Sequence, residues 1–109
     1  MNSLYYGGDE CLRRMQMVAT NKEIVGFFKC NVYKYVYRCT KKNDTLDDAK
    51  KDLGKAAAYM AELTVKAWSK SNDAILAKLH SAACCETWGE LGDARDELLA
   101  LMERTFRWE

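Results

Sequence analysis

No proline occurs among the 109 residues of this chain, so every residue keeps its amide donor and nothing forces a break inside a helix. Helix ends must come from glycine, capping side chains and polar clusters. Gly7-Gly8 closes an irregular arm over residues 1–8 and leads to an Asp9 cap. A short first helix then runs from about Glu10 to Val18, with Leu12, Met15 and Val18 or Ala19 inward. Thr20-Asn21-Lys22-Glu23 fits a capping box, in which threonine and glutamate satisfy each other's orphan amides. It opens a second helix that extends to Arg38 or Cys39. After the polar loop Thr40–Asp44, Thr45 caps a third helix whose positive first turn holds Asp47 and Asp48. This helix is expected to reach about Ser69, with Leu53, Ala56, Ala57, Met60, Leu63, Thr64, Ala67 and Trp68 along one stripe.

Ser71-Asn72-Asp73 reads as the cap of a fourth helix, Ala74 to Cys85, with Ile75, Leu76, Leu79 and Ala82 or Ala83 apolar. Thr87-Trp88-Gly89-Glu90 forms a second capping box for a last helix, starting there or at Asp93 and ending near Phe106. Its inward positions are Leu91, Ala94, Leu98, Leu101 and Met102. The one β-like run, Val32–Tyr37, alternates poorly and is flanked by caps rather than hairpin turns. The expectation is an all-α fold: a single helical domain over 1–109, a compact bundle of four to five helices.

At 49% hydrophobic and 30% charged residues the chain has the balance of a globular protein. A net charge of +1 argues against general nucleic-acid binding. The charge is unevenly placed: between Ile24 and Asn43 lie Lys29, Lys34, Arg38, Lys41 and Lys42 and no acid. No apolar run approaches the roughly eighteen residues of a membrane span, and no leader opens the chain, so a cytoplasmic protein without a membrane partner is expected. Five cysteines with no C-x-x-C pair, beside the single His80, offer no zinc ligand set and read as reduced thiols.

Asn31, Lys34, Tyr35 and Arg38 are spaced three, four and seven apart, which puts an amide, an ammonium, a phenol and a guanidinium on one helix face. Polar groups in an otherwise apolar run need a partner. This set suits an anionic ligand beside a ring, such as a nucleotide. Asp52, Lys55, Ala56 and Tyr59 repeat the spacing on the third helix. An antiparallel hairpin of the two helices would bring Lys34 and Arg38 within reach of Asp52, with Tyr35 and Tyr59 framing the gap. The competing reading is structural: an ion pair tying two helices together, and two core tyrosines. Lys41 and Lys42 read either as a solvated loop or as further phosphate contacts. Val25, Phe28, Val32 and Val36 on one flank of the second helix and Tyr33 and Tyr37 on another exceed what one buried face needs. That surplus, with Phe106 and Trp108 near the end of the last helix, points to a homo-oligomer.

The stretch from Gly26 to Leu63 resembles the core of the SaV-like family of small phage proteins. The resemblance rests on Asn31, Lys34-Tyr35, Arg38 and Lys41-Lys42, followed by Asp52-Leu53-Gly54-Lys55-Ala56 and Tyr59, with Tyr5-Tyr6 and Glu10 upstream. It covers residues 5–63; residues 65–109 have no recognised counterpart. Cys30 stands where the family motif has glycine, and Leu4 where it has a histidine. The family includes a small nucleotide kinase of T-odd coliphages. The resemblance therefore implies a nucleotide partner, and phosphoryl transfer between deoxynucleotides without a Walker loop. It implies phosphate contacts from Lys34, Arg38 and Lys55, with Asn31 orienting the ligand and Tyr35 or Tyr59 stacking on the base. Mg²⁺ would arrive with the nucleotide and be held by Glu10 or Asp52. No catalytic residue is assigned. The alternative function is a non-enzymatic, anti-defence sponge that sequesters a host (cyclic) nucleotide signal in the host cytoplasm; a purely structural or interaction protein is the third reading.

Overall fold

The capping chemistry sets the helix starts. In a computed structural model, which describes the backbone of residues 8–106 and the side chains from Glu10 to Phe106, five helices follow one another. They are α1 (Gly8–Val18), α2 (Asn21–Arg38), α3 (Leu46–Lys66), α4 (Lys70–Ala82) and α5 (Trp88–Phe106). No strand occurs among the described residues. The arm with Leu4, Tyr5, Tyr6 and Gly7, the Asp9 side chain and Trp108 lie outside the described residues.

Both halves of the Thr20 capping box form. The Glu23 amide donates to Thr20 Oγ1 (3.1 Å) and the Thr20 amide to Glu23 Oε1 (2.8 Å). Thr45 Oγ1 accepts from the Asp48 amide at 3.1 Å and opens α3. At α5 the Glu90 amide donates to Thr87 Oγ1, but the Glu90 carboxylate reaches back one residue further, to the Glu86 amide.

The α3–α4 junction differs from the expectation. α3 stops at Lys66, because Ala67 leaves helical geometry (φ −143°, ψ 71°). Ser69, not Ser71, then caps α4, its hydroxyl accepting from the Asn72 amide at 3.0 Å. The buried Asn72 amide donates to the Ala67 carbonyl at 2.7 Å and fixes this bend. Trp68 consequently falls off the α3 stripe and is 67% exposed. α4 ends at Ala82 rather than Cys85, as Ala83 and Cys84 form a turn.

α2 and α3 form an antiparallel hairpin, and α4 and α5 add a second pair. Ile24, Phe28, Val32 and Val36 of α2 meet Leu53, Met60 and Leu63 of α3, Ile75 and Leu79 of α4, and Leu91, Leu98 and Met102 of α5 in one buried cluster. Each such side chain contributes roughly 1.5–3 kcal/mol through burial. α2 is covered on a second flank by α5. There Tyr33 donates its hydroxyl to Glu103 Oε2 (2.7 Å), and Arg95 Nε donates to the Tyr37 carbonyl (2.8 Å). Tyr33 is thus half-buried against α5, whereas the Tyr37 side chain remains 47% exposed. No described helix is long and apolar enough to cross a membrane.

Candidate functional site

The C-terminal half of α2 lies beside the N-terminal half of α3, and their facing side chains meet around Tyr35. The half-buried Tyr35 ring rests on Tyr59, parallel to within 11° and 5.9 Å between centroids. Tyr59 is only 4% exposed, with Phe27 edge-on at 5.8 Å and Phe28 at 6.2 Å. Burial, with Tyr35 and Cys11 nearby, pushes its phenol pKa up. Tyr59 is therefore the floor of the cluster, and of the two rings Tyr35 is the one within reach of a ligand.

Three cations gather on Tyr35. Lys34 Nζ lies 4.7 Å from the ring centroid, Arg38 Cζ 5.3 Å and Lys55 Nζ 5.5 Å. These are cation–π distances, and they hold like charges together that would otherwise spread apart. One carboxylate faces them. Asp52, 4% exposed, lies 3.6 Å from Arg38 Nε and 4.0 Å from Lys55 Nζ. Its Oδ2 also accepts from Asn43 Nδ2 at 2.9 Å, and Asn43 donates in addition to the Cys39 carbonyl at 3.1 Å. Arg38 Nε is buried and has no hydrogen-bond partner. At 3.6 Å from Asp52 it gains charge attraction but not a hydrogen bond.

Lys34, Tyr35, Arg38, Asp52, Lys55 and Tyr59, expected together from their spacing, do meet here. Asn31 sits one turn before Tyr35 on the same face, but its amide donates back to the Phe27 carbonyl at 2.8 Å. Lys41 separates from the group: its ammonium lies 5.7 Å from the Tyr37 ring, on the flank where Arg95 stacks at 4.8 Å. Lys42 is exposed on the turn after α2. Asn43 was not anticipated as a site residue. The available signal was its place in the polar loop after α2, where a side-chain amide can satisfy a terminal helix carbonyl.

Glu10 is engaged on its own helix, pairing with Arg13 and with Arg14 Nε at 2.8 Å. Asp48 lies 3.6 Å from Lys51. Among the described residues no group of three His, Cys, Asp or Glu side chains is arranged to hold a metal ion. Cys39, buried behind the Asn43 bond, has its thiol pushed up to about 11 by burial, so it is inert at neutral pH.

An anion is the kind of ligand that this arrangement of cations beside an aromatic ring can accept. Among the described residues three cations outnumber one carboxylate, and an arginine N–H in the group lacks an acceptor. Comparison with known proteins finds no match among curated proteins and none among solved structures. A family model does match, over residues 3–61, more than half of the chain and including the whole Tyr35 cluster. It describes a protein family of unknown function, DUF3310, and the chain belongs to that family.

Proposed function

We propose that this DUF3310-family chain binds the phosphate of a nucleotide at the Tyr35 cluster, with Lys34, Arg38 and Lys55 neutralising phosphate oxygens and the Tyr35 ring lying against the sugar or base. The observation that carries the reading is the convergence of three cations from two helices on one ring, against a single carboxylate. A buried arginine N–H without a partner costs free energy until something accepts from it. A phosphate oxygen is the acceptor that suits a guanidinium best. The resemblance of the same residues to the SaV-like phage proteins supports a nucleotide over other phosphates, and a phage product acting in the host cytoplasm.

Two outcomes of binding are open to such a site. As a deoxynucleotide kinase-like enzyme, the three cations would spread charge in a phosphoryl-transfer transition state, with Mg²⁺ brought by the nucleotide. As a sponge, the protein would hold a nucleotide signal intact and withhold it from a defence effector. The engagement of Asp52 by Asn43, Arg38 and Lys55 favours holding over transfer, because it leaves that carboxylate poorly placed to accept a proton. Exposed Met17, Val18 and Val65 support self-association into a homo-oligomer, which light scattering would read directly.

The test is a nucleotide panel. Purified protein is incubated with each nucleotide and washed, then heat-denatured and its released contents chromatographed. Recovery of intact nucleotide in stoichiometric amount supports sequestration; formation of a new diphosphate with ATP and Mg²⁺ supports the kinase. If no nucleotide raises the melting temperature at saturating concentration, the binding reading fails.

A further inference from the structure

We infer that the chain carries a second ligand site, built by the C-terminal helices, which takes a small organic anion with an apolar body. A chamber of about 560 Å³ lies where the α3–α4 junction meets the last turn of α5. It sits ~20 Å of helix rise along α3 from Asp52. Arg104, Thr105 and Phe106 close it from α5, Trp68 and Ser71 from the junction, and Lys29 from α2. The volume falls within the roughly 300–1,000 Å³ usual for small-molecule sites.

The lining is selective in charge. It holds the Arg104 guanidinium and several hydroxyls, and no carboxylate among its described residues. Two neighbouring described carboxylates are engaged: Asp73 accepts from the Trp68 indole N–H at 3.1 Å, and Glu103, which lines the adjoining cleft, from the Tyr33 hydroxyl at 2.7 Å. Ser69 spends its hydroxyl on the α4 cap, so Arg104, Ser71 and Thr105 supply the polar contacts for an anionic head. Asn72, buried and bonded to Ala67, holds this wall in place.

Lys29, Ala67 and Phe106 are shared with a larger adjoining cleft of about 1250 Å³, floored by Val25, Gly26 and Met102. Lys29 stands 5.5 Å over the Phe106 ring at the boundary. A Cβ placed on Gly26 would meet nothing within 4 Å, so the cleft is open at its floor. The head of a ligand would sit in the chamber and its rings or chain along the cleft. All but Lys29 of the chamber lining lies beyond the family match at residues 3–61. The chamber shares no lining residue with the Tyr35 cluster, although the adjoining cleft reaches Lys34, and it gives residues 65–109 a role.

The probe is 8-anilinonaphthalene-1-sulfonate, an anionic head on an apolar body, titrated by fluorescence; the cationic dye thioflavin T is the charge control. Saturable binding of the sulfonate is expected, with weaker binding by thioflavin T. Arg104→Gln should weaken the sulfonate about tenfold or more by removing the charge-assisted contact. Gly26→Trp, which fills the cleft without changing charge, should weaken it comparably, and Lys51→Gln, a matched charge loss on the far part of α3, should not. Circular dichroism checks each fold, and Gly26→Trp carries the test if Arg104→Gln does not fold. Non-saturating fluorescence, equal binding of the cationic dye, or wild-type affinity in both folded variants would overturn the inference.

Discussion

Replacing Asp52 with asparagine should move stability and nucleotide affinity in opposite directions. The carboxylate is 4% exposed and faces Arg38 Nε at 3.6 Å, Lys55 Nζ at 4.0 Å and the Asn43 amide at 2.9 Å. The substitution keeps the shape and leaves an oxygen for Asn43 to donate to, so the loss is the charge attraction. At these separations each pair is worth up to ~4 kcal/mol in an intermediate dielectric before desolvation is counted. The partners are 30% and 37% exposed, which brings the net value down to about 1 kcal/mol per pair. Asp52→Asn should therefore cost about 2 kcal/mol, or about 8 °C in melting temperature for a chain of this size. The same change removes the one described carboxylate opposing three cations, so nucleotide phosphate should bind about three- to tenfold more tightly. Urea denaturation gives the first quantity and calorimetry the second. Loss of both stability and binding would refute the assignment of Asp52 as a countercharge and make it a group that contacts the ligand or its Mg²⁺.

Other perturbations probe separate parts of the account. Arg38→Ala should weaken nucleotide binding by about 1.5–3 kcal/mol, the worth of a charge-assisted hydrogen bond; unchanged affinity in a folded variant, measured by calorimetry, removes Arg38 from the site. Cys39 sits near 11 in the fold against an ordinary 9, so the unfolded chain releases its proton first. Stability from this group is complete below pH 9 and should fall by about 2–3 kcal/mol as pH rises towards 11. The Tyr59 phenol, raised by burial, and Tyr33, raised chiefly by its bond to Glu103, act in the same direction. Cys39→Ala should shallow the alkaline limb of a urea-midpoint against pH profile, and an unaltered limb would clear the thiol. Ser69→Ala should cost about 1 kcal/mol by uncapping α4, whereas Ser71→Ala should leave the urea midpoint nearly unchanged; the reverse order would restore Ser71 as the cap.

Much of this architecture was legible because capping chemistry is local. Thr20 with Glu23, and Thr45 with its following aspartates, mark helix starts that need no tertiary information. The Tyr35 cluster was legible for a related reason: residues three, four and seven apart share a face whatever the rest of the fold does. What escaped depended on tertiary geometry. Ser69 and Ser71 are equally good caps in isolation, and the bend at Ala67, fixed by Asn72, selects the first. Lys41 follows the motif in sequence but sits in a turn, where helical spacing says nothing about direction, and it goes to Tyr37. Asn43 acts across two helix ends, so no single-helix pattern reveals its bond to Asp52. The chamber at Arg104 is assembled from three chain segments, and no spacing within any one of them foretells it.

The most direct test of the central claim is the side-chain N–H signal of Arg38 in ¹⁵N-correlated NMR during nucleotide titration. A discrete Nε–H resonance is expected to shift saturably as a phosphate oxygen becomes its acceptor, following the same binding curve as Lys34 and Lys55. A nucleotide that binds while the Arg38 Nε–H signal stays in place would contradict it.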